Sequence, residues 1–218
     1  MTATAAQEDR VDAGSFSVFE KGVRVGREQF SVRRAPSPDG TAFELRAESV
    51  LGDRRAAVQQ SVDSLGIPVH YSLEVREGTS VTVRAGGQRV RGRFVTQTRR
   101  SAGESAREYL LAPGVIILEP TFYHQLAVVL RRRTPGIGQP VEMTVLSLLD
   151  FSQQRLNLVL ESRVDSAIVA GSSTPALRWR LEGAASPVQT IWTDSEGRLL
   201  KVVVAALFLE ATRDELPR

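Results

Sequence analysis

Residues Glu119–Arg133 read EPTFYHQLAVVLRRR. In a chain that otherwise alternates apolar and polar residues, this stretch has helical spacing. Phe122, Leu126, Val129 and Leu130 fall at i, i+4, i+7 and i+8 and make one apolar stripe. Pro120 suits a first helical turn, where its missing N–H has no partner in any case. Glu119 at the start and Arg131, Arg132 and Arg133 at the end match the helix dipole. Thr134-Pro135-Gly136 then stops the helix. The preceding Gly114–Glu119, GVIILE, is too β-branched for a good helix and reads as a short strand feeding into it.

Working outward, nearly everything else reads as antiparallel strand. Phe43, Leu45 and Ala47 alternate with Glu44, Arg46 and Glu48, the pattern of a half-buried strand. Val69, Tyr71, Leu73 and Val75 form one face of another, with His70, Ser72, Glu74 and Arg76 on the opposite face. Gly26 inside a strand marks a bulge or a close backbone approach. Gly86-Gly87 reads as a two-residue hairpin turn, and Arg99–Arg107 as a polar loop. Arg198–Glu210 is almost continuously apolar and reads as one central strand. About eight strands precede the helix, and a shorter meander follows it. The fold expected is mainly β: one strongly curved antiparallel sheet, half-barrel or barrel-like, with a single principal helix on its concave face. A single domain is expected over residues 14–213. Residues 1–13 are expected to be an N-terminal tail and residues 214–218 a polar one.

Composition narrows the function. The chain has 218 residues, a formal net charge of +3 and no Cys. Disulfides, thiolate metal sites and Cys nucleophiles are therefore excluded. Lys occurs only at Lys21 and Lys201, so 26 of the 28 cationic side chains are arginine. The arginines are interleaved with Glu and Asp and form no basic stripe, which argues against nucleic acid as a partner. No apolar run is long enough for a membrane-spanning helix. Ala3-Thr4-Ala5 before Gln7-Glu8 matches the A-x-A end of a signal peptide, so a periplasmic or secreted location is expected.

Catalytic signatures are missing: there is no G-x-S-x-G, no G-x-x-x-x-G-K-[ST] and no H-E-x-x-H. His70 falls on the polar face of its strand. His124 flanks the helical stripe. Neither has a carboxylate placed beside it by the sequence, so no metal, cofactor or catalytic role is expected. Trp179 and Trp192 read either as core or as walls of an apolar cavity. The Arg131–Arg133 triplet is either a solvated helix end or a clamp for an anionic head group.

Three segments carry a family resemblance. Phe16–Val32 (FSVFEKGVRVGREQFSV), Leu65–Val75 (LGIPVHYSLEV) and Ile191–Val202 (IWTDSEGRLLKV) resemble a group of uncharacterised, exported bacterial β domains. That group is similar to the periplasmic lipoprotein carriers of the LolA and LolB type, in which a curved sheet wraps helices around an apolar cavity. This chain departs from that type in having one helix instead of several. The resemblance implies a non-catalytic envelope domain that holds a lipid or other hydrophobic molecule between helix and sheet. Phe122, Leu126, Val129, Leu130, Trp179 and Trp192 would line the site. The alternative is a structural part of an envelope complex with a packed interior and a protein partner.

Overall fold

The computed structural model describes residues 10–131 and 135–217. The signal-like stretch around Ala3-Thr4-Ala5, together with Arg132, Arg133 and Thr134, lies outside the described residues. Fifteen strands among them form one sheet. The first arm of the chain contributes β1 (Arg10–Glu20), β2 (Val23–Arg34), β3 (Phe43–Leu51), β4 (Arg54–Val62), β5 (Pro68–Glu77), β6 (Ser80–Val90), β7 (Arg93–Arg100) and β8 (Gly103–Leu110). The second contributes β9 (Val115–Ile117), β10 (Pro140–Ser147), β11 (Ser152–Val169), β12 (Ser172–Gly183), β13 (Ser186–Thr193), β14 (Leu199–Val204) and β15 (Leu209–Arg213). Except for β8 and β9, each strand pairs with its sequence neighbours, and β1 also pairs with β15, so the first and last described strands meet inside the sheet. All pairs are antiparallel except the parallel pair of β9 and β10.

The sheet is not closed: β8 forms one edge and β9 the other. Burial shows how the edges are handled. All three residues of β9 are buried, and so are the consecutive residues Val145–Leu149. A strand is buried at successive residues only when both of its faces are covered. The inner face of β7 and β8, with Phe94, Thr96, Thr98 and Tyr109, is buried as well. Nearby, the Arg107 guanidinium donates to the Phe151 carbonyl at 3.3 Å, and Arg100 donates to the Leu149 carbonyl. One end of the sheet therefore laps over the other, and the section is a coil instead of a ring.

The expected helix is much shorter than its sequence pattern. A 3₁₀ turn at Tyr123–Gln125 leads directly into α1 (Leu126–Leu130). The whole unit lies within the curve of the sheet, and Phe122, Leu126, Val129 and Leu130 join the single main core. Each such burial is worth roughly 1.5–3 kcal/mol. Glu119 and Pro120 precede the helix, so neither caps it.

Other local expectations fail for identifiable reasons. Arg10–Ala13 belong to β1 and are not a tail, and Asp12 is buried against Arg213 at 2.7 Å. Asp214, expected in the polar tail, accepts hydrogen bonds from the Ser15 and Ser17 hydroxyls. Gly86 and Gly87 sit in the middle of β6, and the turn comes later at Arg91-Gly92. Gly87 lacks a side chain because the Phe94 ring occupies that space. The stretch 99–107 is not a loop, since β7 and β8 run through most of it. Arg198–Glu210 is broken by a 3₁₀ turn at Ala205–Leu207 and by Phe208 in the left-handed region. It is a hairpin of two strands.

Gly26 behaves as its position predicts. The β1–β2 register shifts between Val18 and Phe19, opposite this glycine. A Cβ here would collide with the Val50 carbonyl and the Leu51 side chain. Gly26→Ala is therefore expected to destabilise the domain by about 1–3 kcal/mol in urea denaturation. A loss below about 0.5 kcal/mol would mean that the bulge has room to spare.

Candidate functional site

The polar groups of the interior gather around the inner helix. Eight residues cannot hold a helix in isolation, because nucleation is too costly for so short a piece. Here a carboxylate from another strand caps it. Glu28 of β2 is fully buried and accepts from the backbone N–H of Tyr123 at 2.7 Å and of His124 at 3.0 Å. It also accepts from His124 Nδ1 at 2.6 Å. Tyr123 is pushed up to about 12 by burial and by the nearby Glu28 charge. The His124 ring stacks on Phe30, and its Nε2 has no hydrogen-bond partner among the described residues.

Glu119 anchors the segment from the other side. Its carboxylate accepts from Ser147 Oγ at 2.7 Å, Leu148 N at 2.7 Å, Leu149 N at 3.3 Å and Tyr71 Oη at 3.2 Å. Its own N–H donates to Gln125 Oε1, and Gln125 Nε2 donates to Gln60 Oε1 at 3.0 Å. Burial pushes Glu119 up to about 6 despite these donors. Burial, and then the Glu119 charge, raises Tyr71 well above its ordinary value.

The residues expected to line a ligand site separate into two groups. Phe122, Leu126, Val129, Leu130 and Trp179 come together inside the coil, all at most 7% exposed. A side chain facing a cavity wide enough for water would keep accessible surface, so the stripe is filled by its neighbours. The pocket beside Leu130, Arg131 and Trp179 is partly open and holds about 70 Å³, the share of about two water molecules. Trp179 Nε1 donates to Thr193 Oγ1 at 3.1 Å. Trp192 is elsewhere. It pairs with Arg178, whereas Trp179 pairs with Ile191, so the two indoles lie on opposite faces of the sheet. Trp192 packs on a small second cluster of Ala167, Val169, Ala176 and Leu200. Arg131 donates to the Val11 carbonyl at 3.1 Å, which ties the helix end to β1.

The two histidines do not converge. His70 is exposed on the outer face of β5, where Nε2 lies 2.8 Å from Asp39 Oδ2. His124 is interior. The acid beside it, Glu28, comes from 96 residues earlier in the chain. Helical periodicity carries no signal for that pairing.

A much larger concavity, of about 1630 Å³, lies on the outward side of β2–β8. Registers across these strands align two outward rows. One runs Ser31, Arg46, Gln59, Ser72, Gly86, Gln97 and Ala106; the other runs Gln29, Glu48, Ala57, Glu74, Arg84, Arg99 and Glu104. Small residues leave room between long polar ones. Glu74 is held below its usual range by hydrogen bonds from Arg76 and Arg84.

No protein-family model matches the chain. No curated protein matches it either. Among solved structures it is similar to a β-barrel-like protein of a domain of unknown function, DUF1849, from Brucella abortus. That likeness has a TM-score of 0.59 at 7% identity, over 95% of this chain and 96% of that one. It is also similar to a DUF1089 family protein from Pseudomonas aeruginosa, with a TM-score of 0.52 at 12% identity, over 87% and 92%. At these identities the likeness extends to the barrel-like fold alone.

Two consequences follow for the interior carboxylates. Glu28→Gln turns an N–H toward at least one of the three donors it now satisfies. A loss of roughly 2–4 kcal/mol in denaturant unfolding is expected; an unchanged midpoint would deny it the capping role. Glu119 has a folded pKa above its ordinary 4.5, so the fold binds its proton more tightly than the unfolded chain does. The resulting penalty is absent below that ordinary value and complete above about 6, where it reaches ~2 kcal/mol. The stability difference, wild type minus Glu119→Gln, should therefore be larger at pH 4 than at pH 7 by ~2 kcal/mol. A difference independent of pH would mean that the carboxyl is not strained by burial.

Proposed function

We propose that this domain is a non-catalytic binding module whose interior is scaffold and whose ligand is an extended polypeptide of a partner protein, seated in the outer trough of β2–β8. The filled apolar stripe is the observation that carries this reading. With about 70 Å³ beside Leu130 and Trp179, an acyl chain would have to displace the helix. The outward concavity is far larger.

The chemistry of the trough suits a polypeptide. Gln29, Gln59, Gln88 and Gln97 offer both donors and acceptors to backbone amides. Arg46, Glu48, Glu74, Arg84 and Arg99 offer both signs of charge, so no single-sign polyanion is favoured. The aromatic rings along it, Phe30 and Tyr71, are buried in the core and present no stacking platform to a sugar. The six spacings between Ser31 and Ala106 span roughly 29 Å, enough for about eight extended residues.

The test is site-specific photocrosslinking in the native host. A photoreactive residue at Gln59 or Gln97 is expected to give one discrete crosslinked product, weakened by Arg84→Glu. Arg155, exposed on β11, is expected to give none. Native mass spectrometry of the protein purified from that host is expected to show the bare chain mass. A bound lipid at one equivalent, or equal crosslinking from Arg155, would overturn the proposal.

A further inference from the structure

Most large apolar side chains left exposed by this fold stand singly, which is ordinary for a protein surface. At one end of the coil they do not. The β1–β2 turn at Lys21-Gly22 and the β14–β15 turn at Ala205–Phe208 lie side by side, joined by a hydrogen bond from Lys21 N to the Phe208 carbonyl at 2.9 Å. Phe208 is 64% exposed, Val23 66% and Leu207 49%. Val188, 47% exposed, lies near the start of β13, which packs beside the Ala205–Leu207 turn. Ala205 and Ala206 are exposed as well.

Phe208 is the anomaly. Its φ is +53°, a conformation that costs a bulky residue roughly 1–2 kcal/mol. Phe151 has the same φ in another hairpin, but there Arg100 and Arg107 lie 4.9 and 4.8 Å from the ring centroid. Among the described residues Phe208 has only the Lys21 ammonium, at 6.0 Å. A strained aromatic with neither burial nor packing adds nothing to the fold that would offset its cost.

We infer that this pair of hairpin tips is a docking point for a lipid bilayer surface. Three features favour lipid over a protein groove. The apolar side chains sit on protruding turns, a shape that enters a soft interface. Two of the turn donors are satisfied internally: Phe208 N donates to the Ala205 carbonyl at 3.1 Å, and Lys21 N to the Phe208 carbonyl. Little backbone desolvation therefore opposes insertion. Lys21 and Arg24 are exposed beside the apolar tip, where long cationic side chains reach back to phosphate head groups. Glu20, also exposed, limits the net positive charge. The site is independent of the outer trough.

The full chain should be sedimented with vesicles of phosphatidylcholine, with and without phosphatidylglycerol. Wild type is expected to bind, more strongly to the anionic vesicles. Leu207→Ser combined with Phe208→Gly is expected to lower partitioning tenfold or more. The glycine also relieves the left-handed strain, so this variant should be at least as stable thermally as wild type, and lost binding could not be blamed on unfolding. Lys21→Gln is expected to lower binding about fivefold on anionic vesicles only. If wild type stays in the supernatant with both vesicles, or if the double variant sediments like wild type, the inference is wrong.

Discussion

The arrangement hangs on one carboxylate that reaches across the sequence. Glu28 leaves the inner face of β2 and takes three hydrogen bonds from the start of a helix that would not form alone. That helix then fills the concave side of a sheet too strongly curved to pack against another sheet. Removing the cap would cost more than three hydrogen bonds, because the plug they hold contributes four large apolar side chains to the core. Glu119 repeats the device at the far side and ties the helix approach to the β10–β11 turn. A buried carboxylate is an expensive way to hold a segment, but its donors fix one orientation where apolar packing alone would tolerate several.

Much of this was legible in the sequence, because strand parity is a local signal. The alternation in β3 and β5 predicts their buried faces. Gly26 announced the bulge. The segments that suggested a family resemblance supply some of the contacts around the helix, alongside Gln60 and Ser147 from outside them. Glu28 comes from the first, and Tyr71, which bonds Glu119, from the second. Gly197 from the third passes so close to the helix end that a Cβ would lie 2.9 Å from Arg131 Cα. The failures share a cause. Periodicity in Glu119–Arg133 is real, but Glu119 gains more from Ser147, Leu148 and Leu149 than from starting a helix. Gly86-Gly87 looks like a turn because the ring that replaces its side chain is on another strand. The break at Phe208 has no local signature at all.

Overlap, in place of closure, also gives two arginines, Arg100 and Arg107, a structural role. A sheet that ends in β8 and β9 has two unpaired edges. Around β8 the join is made by guanidinium groups on backbone carbonyls and on the Phe151 ring, contacts that Lys cannot duplicate with the same planar fork. Elsewhere, pairs such as Arg180 with Glu161 and Arg178 with Asp165 sit on the outer face, where each adds little stability but keeps a long sheet soluble.

The pairing of β1 with β15 has a consequence in time. β1 has a lasting partner on one side only until β15 has been made. Asp12 waits just as long for Arg213, and Ser15 and Ser17 for Asp214. Each half can zip up as successive hairpins, since neighbours in the chain are neighbours in the sheet. The seam that unites the halves closes only once β15 has been made, about two hundred residues after β1. A chain truncated anywhere before β15 therefore keeps an open edge along β1.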